Sequence, residues 1–248
     1  MNYKEYGKLN NEIVILLHGG GLSWWNYREE AEMLENDFHV IIPILDGHAG
    51  CDREFTTIED NAEKIISFID EKFGGSVLLI GGLSLGGQIL LEMLSRRKDI
   101  CRYALVESTL VVPSKLTYSM IKPVFGSCYG LIRHRWFSKL QFKSLRIKQE
   151  LFNDYYRDTC EITKQSMIAF LQANSLYSIK ESIRNSTAKV SIFVGEKENG
   201  AMKTSARIIN EKLQGSSLRV MKKMYHGEFS LNNSGDYVKK IYAIVKQC

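Results

Sequence analysis

Gly82-Leu83-Ser84-Leu85-Gly86 stands between a strand-like run and a helix-like one, and that placement constrains the fold more than any other feature of the chain. Ser76-Val-Leu-Leu-Ile80 precedes it, a short apolar run of the kind that forms buried strands of parallel sheets. Leu85 to about Arg96 follows at once and reads as a helix. A strand that turns into a helix within G-x-S-x-G must hold its serine in a strained backbone conformation. Gly82, Gly86 and Gly87 leave room where side chains would collide. The turn lifts the Ser84 hydroxyl above the carboxyl edge of the sheet, where open parallel sheets bind ligands. It also brings the Leu85 N–H, at the start of a helix, to a place where it can stabilise an oxyanion. A chance G-x-S-x-G in an ordinary turn is the bland alternative, and the flanking strand and helix argue against it.

The alternation continues along the chain. Glu12-Ile-Val-Ile-Leu-Leu-His18 carries five consecutive apolar residues and stops at glycines; Phe38-His-Val-Ile-Ile42 is ended by Pro43. Trp24 to Leu34 reads as a short helix. Between Thr57 and Phe73, Ile58, Ala62, Ile65, Ile66, Ile69 and Phe73 mark one helical face, and Gly74-Gly75 ends it. Arg102 to Val106, Lys189 to Val194 and Ser217 to Met221 are further strands, with helices at Ala201 to Leu213 and about Ser234 to Lys246. This pattern specifies an α/β fold, a parallel sheet covered by helices on both faces. Leu110 to Ala188 interrupts it with several helices and no clear buried strand. The expected division is a core of 1–109 and 189–248 with a helical insertion at 110–188.

Bulk composition bounds the function. The 248 residues are 44% apolar and 25% charged, ordinary for a globular chain. The formal charge of +5 is too mild to argue for nucleic acid, and no nucleic-acid motif is present. Cys51, Cys101, Cys128, Cys160 and Cys248 are odd in number and lack CxxC spacing, which speaks against a disulfide framework or a zinc site. No signal-like apolar segment opens the chain and no run reaches membrane-spanning length, so cytoplasmic residence is the default expectation.

A serine hydroxyl needs a base within reach. Of five histidines, His18 belongs to a glycine loop, His39 to a strand, His134 to an arginine-rich turn, and His48 to a loop after a strand. His226, in Met224-Tyr-His-Gly-Glu-Phe, follows the last strand on the same rim as Ser84 and is the best candidate. The orienting carboxylate is sought in Gly195-Glu-Lys-Glu198-Asn-Gly. Glu198 is preferred there, with Glu196 nearby and Glu107, after the fourth strand, as the rival. The order Ser, acid, His suits a sheet enzyme of this kind. His18-Gly19-Gly20-Gly21 offers a second oxyanion donor, Gly20 first and Gly21 next; it matches no phosphate-binding glycine pattern. Leu22, Trp24 and Trp25 follow and are expected to wall the acyl pocket, ordinary helix packing being the alternative.

With these residues in place, the chain resembles the α/β-hydrolase superfamily over nearly its full length, closest to small capped esterase-like members. The resemblance implies a helical lid at the position of the insertion, a Ser84–Glu198–His226 triad, and Gly20 and Leu85 as oxyanion donors. This chain has Glu198 where Asp is usual, and Ile44-Leu45-Asp46-Gly47-His48-Ala49 keeps Gly-His without the leading Asp of D-x-x-G-H-G. One or both of the family's first antiparallel strands are expected to be abbreviated or absent.

The expected activity is hydrolysis of small to medium apolar carboxylic esters through an acyl-enzyme, with no metal and no organic cofactor. Thioesterases, lipases, C–C bond hydrolases and ligand-binding proteins on this fold share the triad and are the alternatives. Tyr118, Met120, Phe125, Tyr129 and Met167 are pocket candidates in the insertion. Leu131 to Lys148 carries Arg133, Arg135, Lys139, Lys143, Arg146 and Lys148 with no acid, interleaved with Trp136, Phe137 and Phe142. Such a segment can lie on an anionic membrane surface. The favoured reading is a solvated face, its aromatics packed inward and its charges met by Glu150 and Asp154.

Overall fold

The computed structural model describes residues 1–246; Cys248 lies outside them. The strands are β1 (Tyr3–Tyr6), β2 (Ile13–Leu17), β3 (His39–Pro43), β4 (Val77–Leu83), β5 (Cys101–Glu107), β6 (Lys189–Gly195) and β7 (Ser217–Met221). They form one sheet in the order β1-β3-β2-β4-β5-β6-β7. All neighbours pair in parallel except β1, which runs antiparallel to β3 with Tyr3 opposite Pro43. One four-residue antiparallel strand is thus what the chain supplies at that edge.

The helices are α1 (Arg28–Leu34), α2 (Ile58–Phe73), α3 (Leu85–Arg96), α4 (Lys115–Cys128), α5 (Arg135–Leu145), α6 (Phe152–Glu161), α7 (Lys164–Leu176), α8 (Gly200–Lys212), α9 (Glu228–Asn232) and α10 (Ser234–Val245). Side chains alternate across each strand. Ile15 and Leu17 therefore join a core with residues of α2, α3 and α8, while Val14 and Leu16 join another with residues of α1 and α10. Both faces of the sheet are covered, as the apolar runs require.

Helix boundaries follow local chemistry. Thr57 caps α2 by accepting from the Asp60 N–H, and Gly74 ends it in the left-handed region at φ 70°. The expected helix at Trp24 to Leu34 divides into a 3-10 turn, Trp24–Tyr27, and α1. Every residue of α3 from Leu85 to Leu94 is buried, as suits a helix packed on all sides.

Helices α4 to α7 lie between the paired strands β5 and β6. The Gln88 amide donates to the carbonyls of Leu110 and Asn174, so α3 holds the start of this helical stretch beside its return. The inward packing expected of its aromatics applies to Phe142, set against Phe152 and Tyr155, but not to Trp136, which is 64% exposed. Nor does Asp154 answer the basic run; it pairs with Arg28 and Arg157. Among the described residues no helix is long and apolar enough to cross a membrane.

Candidate active site

Ser84 occupies the single residue between β4 and α3, at φ 52° and ψ −109°. Its N–H donates to the Glu107 carbonyl at 2.9 Å and its carbonyl accepts from the Gln88 N–H. A non-glycine residue in this region is strained, and packing holds it there. A Cβ on Gly82 would lie 2.5 Å from the Gly86 carbonyl oxygen, and one on Gly86 would lie 2.1 Å from the Leu17 carbonyl oxygen. The glycines of the pentapeptide are therefore fixed by contact of β2, β4 and α3.

Ser84, His226, Gly19, Gly20, Leu22 and Leu83 line one cavity of about 110 Å³, together with Leu145, Ile147 and Leu231. His226 is half-exposed, and its Nδ1 lies 2.9 Å from Oε2 of Glu198, whose side chain is buried. The other oxygen, Oε1, accepts from the Gly195 N–H at 2.7 Å and the Ser108 hydroxyl at 2.8 Å. Burial raises the Glu198 pKa, but the hydrogen bonds and charge of His226, with those from Gly195 and Ser108, outweigh it and hold the carboxyl below its ordinary value.

The rival carboxylate is arranged differently. Glu107 Oε1 accepts from the N–H groups of Phe229 and Ser230 at the start of α9. Burial pushes its pKa up to about 7, although hydrogen bonds from Ser230 act the other way. Glu196 is exposed and accepts from the Lys223 N–H.

In the glycine loop, three N–H groups are engaged. Gly19 donates to Asn26 Oδ1, Gly21 to His48 Nε2 at 3.0 Å, and Leu22 to the Gly19 carbonyl. Among the described residues the N–H groups of Gly20 and Leu85 meet no protein acceptor, while that of Gly21, the second choice from the sequence, is occupied by His48. His18 and His48 share a pattern: Nδ1 faces a carbonyl oxygen, of Gly19 and Asp46, and Nε2 accepts an N–H, from Leu45 and Gly21. That arrangement needs the neutral ring with its proton on Nδ1. Burial drives both pKa values down, to about 3 for His18 and about 4 for His48, so both stay neutral at pH 7. His39 pairs with Glu5, away from this loop.

Of the expected pocket wall, Leu22 lines the cavity and the two tryptophans do not. Trp25 is buried elsewhere, its indole N–H donating to Asp158 of α6 at 2.8 Å. Trp24 lies beneath the cations of Lys4 and Arg28. Partners outside the turn explain the split: Asp158 of α6 holds the Trp25 ring, and Lys4 and Arg28 hold that of Trp24. The insertion contributes Leu145 and Ile147 to the cavity, in place of Tyr118, Met120, Phe125, Tyr129 and Met167. Phe170 of α7 stacks on His48 and sits 3.4 Å from where a Gly20 Cβ would be.

Sequence reasoning missed Ser108, which accepts from the Gly227 N–H while donating to Glu198, and so joins the His226 loop to the Glu198 carboxylate. A polar residue directly after a buried strand, at the carboxyl edge, was the available signal. His18, expected to support the backbone of its glycine loop, accepts from the Leu45 N–H; the bracing of Gly21 by His48 was missed, and the retained Gly47-His48 pair was the clue.

A family model described as the alpha/beta hydrolase family matches residues 14–210, which include the glycine loop, Ser84 and Glu198. A thermophilic esterase from Thermogutta terrifontis is similar in structure, with a TM-score of 0.80 at 16% identity over 99% of this chain and 93% of that one. An esterase from Exiguobacterium antarcticum gives 0.82 at 16% identity over 99% and 95%. The enol-lactonase from Burkholderia xenovorans LB400 gives 0.78 at 13% identity over 99% and 96%. At these identities the structural likeness is one of fold, and the family match covers most of the chain. The seven-stranded, mostly parallel sheet, the serine elbow and that match together make this chain a member of the alpha/beta hydrolase family.

Proposed function

We propose that the protein is a serine hydrolase that cleaves carboxylic esters with small apolar acyl groups. The observation that carries the reading is the 2.9 Å contact between His226 Nδ1 and a buried Glu198, with His226 and Ser84 lining one cavity. Glu198 fixes the imidazole tautomer, leaving Nε2 free to take the Ser84 proton. The Ser84 oxygen then bonds to the ester carbonyl carbon, and the N–H groups of Gly20 and Leu85 receive the charge that forms on the carbonyl oxygen. Collapse of that intermediate breaks the bond to the alcohol, which leaves with the proton from His226. Water, deprotonated by His226, attacks the acyl-enzyme, and the acid departs as Ser84 regains its proton.

The cavity argues for small acyl groups. At about 110 Å³ it lies below the roughly 300–1,000 Å³ of pockets that take drug-sized ligands. Its walls, Leu22, Leu83, Leu145, Ile147 and Leu231, are apolar and suit a short hydrocarbon chain. On this reading the insertion acts as a cap that sets chain length through Leu145 and Ile147.

Labelling with a fluorophosphonate, read by intact mass, tests the proposal. One adduct on the folded protein, absent from Ser84→Ala, is expected, and turnover of p-nitrophenyl esters should be fastest from acetyl to butyryl. Absence of an adduct on folded protein would overturn the reading and favour a ligand-binding role. A preference for thioesters over matched oxygen esters would move the substrate class.

A further inference from the structure

Residues 108–149 contain eight of the chain's 33 basic side chains and none of its 28 acidic ones, leaving 25 basic residues against all 28 acids elsewhere. The molecule's positive excess therefore sits wholly in the first half of the insertion. Of those eight cations Lys148 alone, among the described residues, is ion-paired, with Glu29 at 2.5 Å. Arg135 donates to Asn153 instead, and Arg146 lies over the ring of Tyr225.

The same segment leaves large apolar side chains in solvent. Of the thirteen exposed among the described residues, eight fall between Leu116 and Leu145. Helix α4 buries Ile121 alone and exposes Leu116, Met120 and Val124, one above the other at i, i+4 and i+8. On α5, Trp136 and Leu140 are 64% and 62% exposed. Lys139 and Lys143 share their face by i, i+3, i+4 and i+7 spacing. Isolated exposed apolar residues need no explanation, but a concentration interleaved with unpaired cations does.

We propose that the exposed sides of α4 and α5 dock on an anionic lipid surface. Lysines at this spacing meet acidic headgroups, Trp136 suits the headgroup level, and the aliphatic side chains reach the acyl boundary. Nucleic acid would satisfy the cations but offers no hydrocarbon for Leu116, Val124 and Leu140. The docked face is continuous with the cavity, because Leu145 is both exposed at the end of α5 and part of the wall around Ser84. The docking does not depend on the reaction at Ser84.

Sedimentation of the intact protein with vesicles tests this, using phosphatidylcholine alone and phosphatidylcholine with about one-third phosphatidylglycerol. Partition into the anionic vesicles should exceed that into neutral ones by about tenfold or more at low salt and vanish near ~1 M salt. Trp136 emission should shift to the blue on binding and the shift should be lost in Trp136→Phe. The variant Lys139→Glu/Lys143→Glu should lose about tenfold or more in anionic partition with its circular dichroism unchanged. Trp136→Ser/Leu140→Ser serves as a second, charge-neutral variant with the same expected loss. Equal partition into neutral vesicles, undiminished binding in both variants, or no vesicle binding at all would each overturn the proposal; the last would leave the face to an acidic protein partner.

Discussion

His226 follows Glu198 by 28 positions, yet its Nδ1 stands 2.9 Å from that carboxylate, while Glu107 accepts from the backbone of α9. Two carboxylates thus occupy the same rim with different partners. Glu198→Gln should lower kcat by roughly 10²–10⁴-fold with the circular dichroism of the folded protein unchanged, since an amide leaves the imidazole in the wrong tautomer. Glu107→Gln should stay within about threefold of wild type. Steady-state kinetics on the two variants decides the assignment, and the reverse outcome would move the acid to Glu107.

The two carboxylates also give stability opposite pH dependences. Glu198 has a lowered pKa in the folded state, so its contribution is present above the ordinary carboxylate range and is lost as pH falls through the folded value. Glu107 has a raised pKa of about 7, so its neutral form contributes fully below the ordinary range and the contribution is lost as pH rises toward about 7. Gln mimics the neutral acid and can still accept from Phe229 and Ser230. Glu107→Gln should therefore stabilise the protein at pH 8 by on the order of 1–3 kcal/mol and have little effect at pH 4. Urea titrations at the two pH values measure it; an equal effect at both would show that Glu107 does not titrate in this range.

On the proposed mechanism, His48 acts on the reaction through one acceptor nitrogen, which holds the Gly21 N–H. His48→Leu leaves the Gly21 N–H without its partner and loosens the loop that presents Gly20. The expected result is a fall in kcat of about tenfold or more with KM nearly constant, because the loss is felt where charge develops. His48→Gln, which can still accept, should recover part of the rate. Equal loss in both variants would point to packing against Phe170 instead.

How much of this was legible in the sequence depended on how local the signal was. The elbow, the α2 face from Ile58 to Ile69 and the strand at β6 are written in consecutive residues, and each appears where periodicity and glycine placement put it. The edge strand β1 was not legible, since Tyr-Lys-Glu-Tyr carries no apolar run and is held by pairing with β3. Trp24 and Trp25 misled because aromatic residues next to a glycine loop can turn either way, and only Asp158, 133 residues distant, decides for Trp25. Ser108 was invisible for a similar reason: its partners, Glu198 and Gly227, arrive from β6 and from beyond β7.

Close packing at the elbow makes a prediction about stability. A Cβ on Gly87 would lie 1.9 Å from Thr109 Oγ1 and 3.1 Å from its Cβ. Gly87→Ala should cost about 1–3 kcal/mol through overpacking. Adding Thr109→Ala should restore part of it, a coupling that a double-mutant cycle in urea reads directly. Strict additivity would mean that the turn relaxes by backbone movement instead.

The acid turn is built from neighbours: Glu198 accepts from Gly195, three residues away, and its own N–H returns to the Gly195 carbonyl. His226 reaches it only once the segment after β7 lies against β6, where Lys197 donates to the Met224 carbonyl. On the proposed assignment, a chain leaving the ribosome therefore has its nucleophile, both N–H donors and its acid before its base has been made. The serine is unarmed through most of translation, and closing the last edge of the sheet is also the step that switches the chemistry on.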